Sequence, residues 1–483
     1  MHTHEKLAGD DVSGKTTLNI EASTRKRLQA FGQEHLLAFW PELDHDQRSS
    51  LIDQVDQIDF DQIASFVGGC SQDADWNRIA EAAVAPPAIR LADTDADEDT
   101  AIAAAEAALQ AGELGIVLVA GGQGSRLGFP HPKGMYKIGP VSERSLFQIH
   151  VDQIMALRAR YDVAIPLYVM TSPATHDETV EYFRANNNCG LPEKDLHFFC
   201  QGTMPAIDSE TGKVLLAEKG TVFASPDGHG GMLSAFVKSG CLADAMQRGV
   251  KQLFYFQVDN PLVSICDRRL VGFHLQQHSE MTTQVVAKTE PLERVGNVVV
   301  VDGRMMVIEY SDLPEAAARR TVDGKRLELW AGSIAVHVFD VEFLKRMSDD
   351  ADSLPFHRAN KSVPHINERG DLTEPSTPNA IKFERFIFDL MPSAKNAIVV
   401  EAEAERIFAP LKNASGAAKD TPETTRAAIV RESRRMLEAA GATIAPDVLV
   451  EVNPLVALDA EQLRADVSLA NPINRDSYFG PRD

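Results

Sequence analysis

The strongest constraint on this chain is a short apolar run that ends in glycines. Gly115-Ile-Val-Leu-Val-Ala120 carries no polar side chain, and Gly121, Gly122, Gly124 and Gly128 follow within eight residues. A run apolar at every position reads as a strand covered on both faces, which is the condition of strands in parallel sheets. Helical and extended stretches then alternate. Leu146 to Tyr161 and His176 to Ala185 have helical spacing, whereas Pro166 to Met170 and Leu253 to Val258 are apolar runs of strand length. The expectation is an α/β fold built on a Rossmann-like, mixed but mostly parallel sheet.

The flanks differ from this centre. Residues 1–20 are polar and are expected to be a disordered tail. From 21 to 105 apolar residues recur at helical spacing, among them Leu28, Phe31, Leu36, Leu51 and Val55, so a helical N-terminal domain is expected there. The catalytic α/β domain is expected over 106–395. Within it Asp302-Gly303 separates two extended runs and predicts a hairpin. A small α+β C-terminal domain is expected over 396–483, with strands at Ile398–Glu401 and Val448–Val452 around a helix at Glu423–Ala440.

Composition excludes several function classes. A net charge of -22 leaves no basic footprint for nucleic acid or an anionic membrane. No apolar run reaches the length of a membrane span. The five cysteines are odd in number and form no Cys-x-x-Cys pair. With no apolar secretion signal among the first residues, they predict free thiols in a cytoplasmic protein. Small phosphorylated ligands remain open, since these need only a few cations in one cleft.

Two segments spell phosphate-binding loops. Gly9-Asp-Asp-Val-Ser-Gly14-Lys15-Thr16 matches the P-loop letters, but no buried strand precedes it to hold such a loop rigid, and a flexible tail is the better account. Ala120-Gly121-Gly122-Gln-Gly124-Ser-Arg126-Leu-Gly128 follows the strand directly, at the sheet end where α/β proteins hold ligands. Its bare main chain can approach a base or phosphates closely, and Arg126 and Lys133 supply cations. Asp259 ends the run Leu253–Val258 at the ligand end of the sheet, where its carboxylate can either hold a hard cation such as Mg²⁺ (or Mn²⁺) or cap a helix starting at Asn260-Pro261. The stripe Phe383, Phe386, Ile387 and Leu390 has helical spacing and is expected to be core. Arg431, Arg434 and Arg435 are expected on one solvated helix face.

The loop, with Pro132-Lys133-Gly134-Met-Tyr136, resembles the eukaryotic-type UDP-N-acetylglucosamine pyrophosphorylases within the wider UDP-sugar pyrophosphorylase family. Further segments keep the family's order: Gln33-Glu-His-Leu-Leu37, Ser145-Leu-Phe-Gln148, Phe199-Cys-Gln201-Gly202, Pro226-Asp-Gly-His-Gly-Gly231, Val258-Asp-Asn260, Val295-Gly296, Ile308-Glu-Tyr-Ser311, Asn379-Ala-Ile-Lys382 and Pro410-Leu-Lys412-Asn413. The resemblance implies a nucleotidyltransferase (GT-A-like) fold and a Mg²⁺-assisted reaction of UTP with a sugar 1-phosphate, giving a UDP-sugar and pyrophosphate. It casts Ala120, Gly121, Gly122, Gln201 and Gly228 as nucleotide-binding, with Gln201 on the uracil edge. It casts Arg126, Lys133 and Lys412 as the catalytic cations, Asp259 as the metal carboxylate, and Gly296, Glu309 and Lys382 on the sugar side. UTP and a sugar 1-phosphate are the implied partners, with no nucleic acid, no membrane and no protein partner indicated.

Two positions depart from the N-acetylglucosamine pattern. His229 and Ser333 stand where that pattern has asparagines, and Trp330 stands where a small amide is usual. N-acetylglucosamine 1-phosphate is the first expectation, and glucose or galactose 1-phosphate the second. A non-catalytic UDP-sugar sensor is the rival from another class.

Overall fold

The structure is a computed structural model that describes residues 23–67, 75–93, 97–350, 353–466 and 472–481. The expected tail over 1–20 and the P-loop spelling within it lie outside the described residues. The chain forms two compact units. The larger takes residues 75–202, 229–355 and 386–483, and the smaller takes its described residues from 23–67, 203–228 and 356–385. These divisions fall at other points than the boundaries at 105 and 395 expected from sequence.

Nine strands of the larger unit make its central sheet: β1 (Leu114–Val119), β2 (Leu167–Thr171), β3 (Leu196–Cys200), β4 (Gln252–Gln257), β5 (Met281–Ala287), β6 (Gly296–Val301), β7 (Arg304–Ile308), β8 (Ala331–Asp340) and β9 (Ala397–Ala402). The order is β7-β6-β8-β4-β1-β2-β3, with β5 between β8 and β9 as a branch. One half, β4-β1-β2-β3, is wholly parallel. In the other half β8 runs antiparallel to β4, β5 and β6. The mixed, mostly parallel sheet is therefore the one expected.

Burial explains the apolar run. Ile116 and Leu118 of β1 pack on one face with α1 (Asp97–Gln110) and α2 (Leu146–Tyr161), and Val117 packs on the opposite face. All three are 0% exposed, and full burial of such a side chain contributes about 1.5–3 kcal/mol. Helix α2 starts where Ser145 and Gln148 form a reciprocal capping box. The β6–β7 hairpin turns at Asp302 and Gly303, both at positive φ as a two-residue primed turn requires.

The tail does not begin a separate fold. Its first strand, β9, pairs in parallel with β5 inside the central sheet. Beyond it, α3 (Pro422–Ala439) and a parallel strand pair, Val450–Val452 with Ser477–Phe479, enclose their own cluster of Leu437, Val450, Leu463 and Ile473. Arg434 departs from the solvated face expected of it. Its guanidinium donates to the carbonyls of Ile444, Ala445 and Val448 and ties the turn after α3.

The smaller unit is assembled from three chain pieces. The apolar residues expected to be helical, including Leu28, Leu36, Leu51 and Val55, share one cluster with Ile207, Val214, Leu216, Ile381 and Phe383. Gln33 accepts from Val214 N–H at 2.9 Å and donates to the Gly212 carbonyl at 3.2 Å. The stripe at 383–390 is core, as expected, but it is not one helix. Phe383 sits in a strand (Ala380–Glu384) of the smaller unit, while Ile387 and Leu390 lie in a 3₁₀ segment of the larger. No helix among the described residues is long and apolar enough to cross a membrane.

Candidate active site

The site is built where the parallel strands end. Past β1, Ala120 N–H donates to the Met170 carbonyl at 2.7 Å, so the chain still runs beside β2 as the glycines begin. Gly121 then passes between two neighbours. Ser172 Oγ donates to its carbonyl at 2.7 Å, and a Cβ built on it would lie 2.7 Å from Gln201 Oε1. A side chain there would have to push the Gln201 amide aside, so glycine lets the loop approach Gln201 in its present place. Gln201 is 7% exposed and is held by its N–H on the Thr171 carbonyl at 2.9 Å. Three strand ends thus bring Gly121, Ser172 and Gln201 together, and an amide at that place can both donate and accept.

The rest of the loop folds back and delivers the cations. Gly124 N–H donates to the His131 carbonyl at 2.9 Å, and Lys133 N–H to the Gly122 carbonyl at 3.0 Å. This return places Lys133 Nζ 3.5 Å from Asp259 Oδ2, just past β4. Arg126 is exposed, and among the described residues nothing pairs with its guanidinium.

Asp259 and Lys412 are joined through the main chain. The Asp259 carbonyl accepts from Leu411 N–H at 2.8 Å, and Asn260 holds the same segment by donating to the Ile407 carbonyl and accepting from Ala409 N–H. Lys412 and Asn413 N–H both donate to the Asp420 carbonyl, at 2.8 and 2.9 Å. Burial pushes the Asp420 carboxyl up, the charges of Lys412 and Lys419 oppose this, and Asp259 adds to it. Asp420 is thus a second carboxylate in the field of Lys412 and Asp259. Its place just before the helix start Thr421-Pro422 is a capping signal that sequence alone gives no reason to connect with Lys412.

Three sugar-side candidates, Gly296, Glu309 and Ser333, gather on the antiparallel half. Gly296 of β6 pairs with Ser333 of β8, and a Cβ on Gly296 would lie 3.4 Å from Glu309 Oε1. A register shift in the β5–β8 pairing and a positive φ at Ala335 mark a bulge just after Ser333, which re-aims the strand there. His229 Nδ1 accepts from Ile387 N–H at 3.3 Å, and its ring lies among Tyr255, Phe386 and Phe388. An accepting Nδ1 puts the proton of the neutral ring on Nε2. Trp330 is committed elsewhere: the Arg90 guanidinium lies 3.6 Å from its ring centre, and Arg90 pairs with Glu401.

Gly228 and Lys382 belong to the smaller unit. Gly228 has φ +83°, and a Cβ there would lie 2.4 Å from the Arg385 carbonyl oxygen, so a backbone neighbour demands the glycine. Lys382 lies 4.9 Å from the Phe223 ring centre, and burial draws its amine down.

A profile of the family described as UTP–glucose-1-phosphate uridylyltransferase matches residues 65–468. The chain belongs to that family. It is therefore a nucleotidyltransferase, as the motif series implied. A human protein named UDP-N-acetylhexosamine pyrophosphorylase-like protein 1 is 35% identical over 487 residues, covering 92% of this chain and 94% of the relative. The UDP-N-acetylglucosamine pyrophosphorylase of Saccharomyces cerevisiae is 37% identical over 364 residues, 74% of this chain and 76% of that one. The solved uridine diphosphate N-acetylglucosamine pyrophosphorylase of Trypanosoma brucei, in complex with an inhibitor, superposes with a TM-score of 0.77 at 23% identity. It covers 92% of this chain and 94% of its own, and it shares the uridylyltransferase fold.

Proposed function

We propose that this uridylyltransferase joins UTP to N-acetylglucosamine 1-phosphate and releases pyrophosphate. An oxygen of the sugar phosphate attacks the α-phosphorus of UTP in line, and the bond from that phosphorus to the bridging oxygen of the β-phosphate breaks. The electron pair leaves with pyrophosphate, and no protein nucleophile takes part. Two anions must meet, so the work of the side chains is positioning and charge neutralisation. The observation that carries this reading is the meeting of Gly121, Gln201, Lys133, Asp259 and the Lys412 segment at the ends of neighbouring parallel strands.

In this reading Ala120, Gly121 and Gly122 lie along the uridine, and Gln201 pairs with the uracil edge. Lys133, Arg126 and Lys412 neutralise the phosphates and the departing pyrophosphate. Asp259 would hold Mg²⁺ (or Mn²⁺), which supplies charge neutralisation on the triphosphate. The donor fits such an ion: Asp259 is a hard carboxylate at a strand end beside Lys133, and Mg²⁺ characteristically takes one or two carboxylates and completes its shell with phosphate and water. Gly228 and Lys382 are assigned to the nucleotide and sugar phosphate, and Gly296, Glu309, Ser333 and His229 to the sugar. Cys189, Cys241 and Cys266 are free thiols, which supports a cytoplasmic setting.

The sugar is chosen on the names of the relatives, while His229 and Ser333 favour the second candidate, glucose or galactose 1-phosphate. Pyrophosphate release from UTP and Mg²⁺ with N-acetylglucosamine, N-acetylgalactosamine, glucose and galactose 1-phosphates decides between them. The expected result is the highest kcat/KM with N-acetylglucosamine 1-phosphate. Preference for a sugar without the acetamido group would replace that substrate by the second candidate. No release with any of the four would leave a UDP-sugar-binding sensor.

A further inference from the structure

Lys288 is a lysine buried to 7% exposure directly after β5, and the reaction described above does not use it. Its N–H donates to the Trp330 carbonyl at 2.9 Å. Its stem then crosses Gly332, where an added Cβ would lie 3.2 Å from Lys288 Cγ and 2.8 Å from Val295 Cγ2. Beyond that crossing its ammonium donates to Asn297 Oδ1 at 2.5 Å. Asn297, 1% exposed, donates in turn to the carbonyls of Val295 and Ile308, both at 3.2 Å.

This small network touches three strands at one level. Asn297 pairs with Gly332 on β8 and with Ile308 on β7. Three of the sugar-side candidates are therefore chain neighbours of a network group: Gly296 lies between Val295 and Asn297, Glu309 follows Ile308, and Ser333 follows Gly332. Burial draws the Lys288 amine down to about 8, with Glu293 acting in the opposite direction. Holding a buried charge is costly, and a methionine would fill much the same space without that cost. Sheet stability alone gives no reason for an amine here. What an ammonium–amide–carbonyl chain adds is direction, since each hydrogen bond fixes where the next group points.

We propose that Lys288 and Asn297 are a positioning pair for the sugar 1-phosphate half of the site, fixing Gly296, Glu309 and Ser333 relative to one another without touching substrate. The proposal rests on the assignment of those three residues to the sugar. It predicts a split that general loosening of the fold would not give. Lys288→Met is expected to raise KM for N-acetylglucosamine 1-phosphate about tenfold, with KM for UTP changed less than about twofold. Its selectivity over glucose 1-phosphate should narrow as well.

The experiment is steady-state kinetics on the full-length wild type, Lys288→Met and Asn297→Asp, with circular dichroism melts of each. Asn297→Asp keeps volume and the acceptor for Lys288 but loses the two donors to Val295 and Ile308, so it decides the matter if Lys288→Met fails to fold. A selective rise in the sugar 1-phosphate KM in either folded variant supports the pair. Unchanged KM values, or an equal rise for both substrates, overturn it. A wild type that releases pyrophosphate with none of the sugar 1-phosphates defeats the functional reading itself, a result distinguishable from an active wild type whose variants keep normal KM values.

Discussion

In the proposed reading, the two halves of the central sheet place ligand groups in different ways. On the parallel half, β1 to β4, main chain and strand ends do the placing: Gly121 makes room for Gln201, and Asp259 sits where β4 stops. On the antiparallel half, β6 to β8, placement depends on a hairpin, a bulge at Ala335 and a buried Lys288–Asn297 hydrogen bond. A strand end is fixed by the sheet as a whole, so it tolerates little but needs no special side chain. A bulged antiparallel strand needs side chains to hold it.

The comparison can be broken first at Asp259. On the nucleotide half, Asp259→Asn keeps volume but removes the charge beside Lys133, and turnover should fall about 10²- to 10³-fold in a protein with an unchanged melt. Pyrophosphate release with Mg²⁺ at near wild-type rate would remove Asp259 from the metal role. A smaller effect is expected at Gly121→Ala, where the new methyl must displace the Gln201 amide. KM for UTP should rise about 10- to 100-fold, an effect of size comparable to losing one or two polar contacts, while KM for the sugar 1-phosphate holds. Equal changes in both would mean that the two halves are not separable.

The third test concerns pH and is the mildest near neutrality. His337 of β8 and His274, beside β5, are buried, and burial draws both down to about 3 from an ordinary 6.5. Between those values the unfolded chain binds protons that the folded chain refuses, so stability is present above pH 6.5 and is lost as pH falls toward 3. The two together should give a slope of about 3 kcal/mol per pH unit in that window. Urea midpoints measured from pH 7 to 4 check this. Replacing His337 by Gln should lower the slope by about 1.4 kcal/mol per pH unit, with His274 and the buried His150, drawn down to about 4, keeping their shares, and an unchanged slope would assign the acid sensitivity elsewhere.

What sequence could and could not tell follows the same division. The run Gly115–Ala120 announced β1 because every residue in it is apolar, and Asp302-Gly303 announced its hairpin because few other pairs accept two positive φ values. Helix α2 matched its spacing at both ends. The assembly of the smaller unit was illegible, because the cluster under Leu28 and Val55 is completed by Ile207 and Phe383, far along the chain and with no local mark of the contact. The helical spacing of Phe383 and Phe386 misled for a related reason: they face cores in different units. Of the proposed site, Gly121, Gln201, Lys133 and Asp259 could be singled out from glycine chemistry and family resemblance. Ser172, Lys288, Asn297 and Asp420 could not, since each contacts its neighbour only through the tertiary fold.

The three-piece construction of the smaller unit also bears on how the chain is made. Residues 23–67 leave the ribosome well before the residues, up to 385, that close their core. At about 5–20 residues per second, the N-terminal helices wait roughly 15–60 s with Leu36, Phe39 and Trp40 uncovered. Over that interval they depend on chaperones or on transient local packing, which places the aggregation risk of biosynthesis at the N-terminal end.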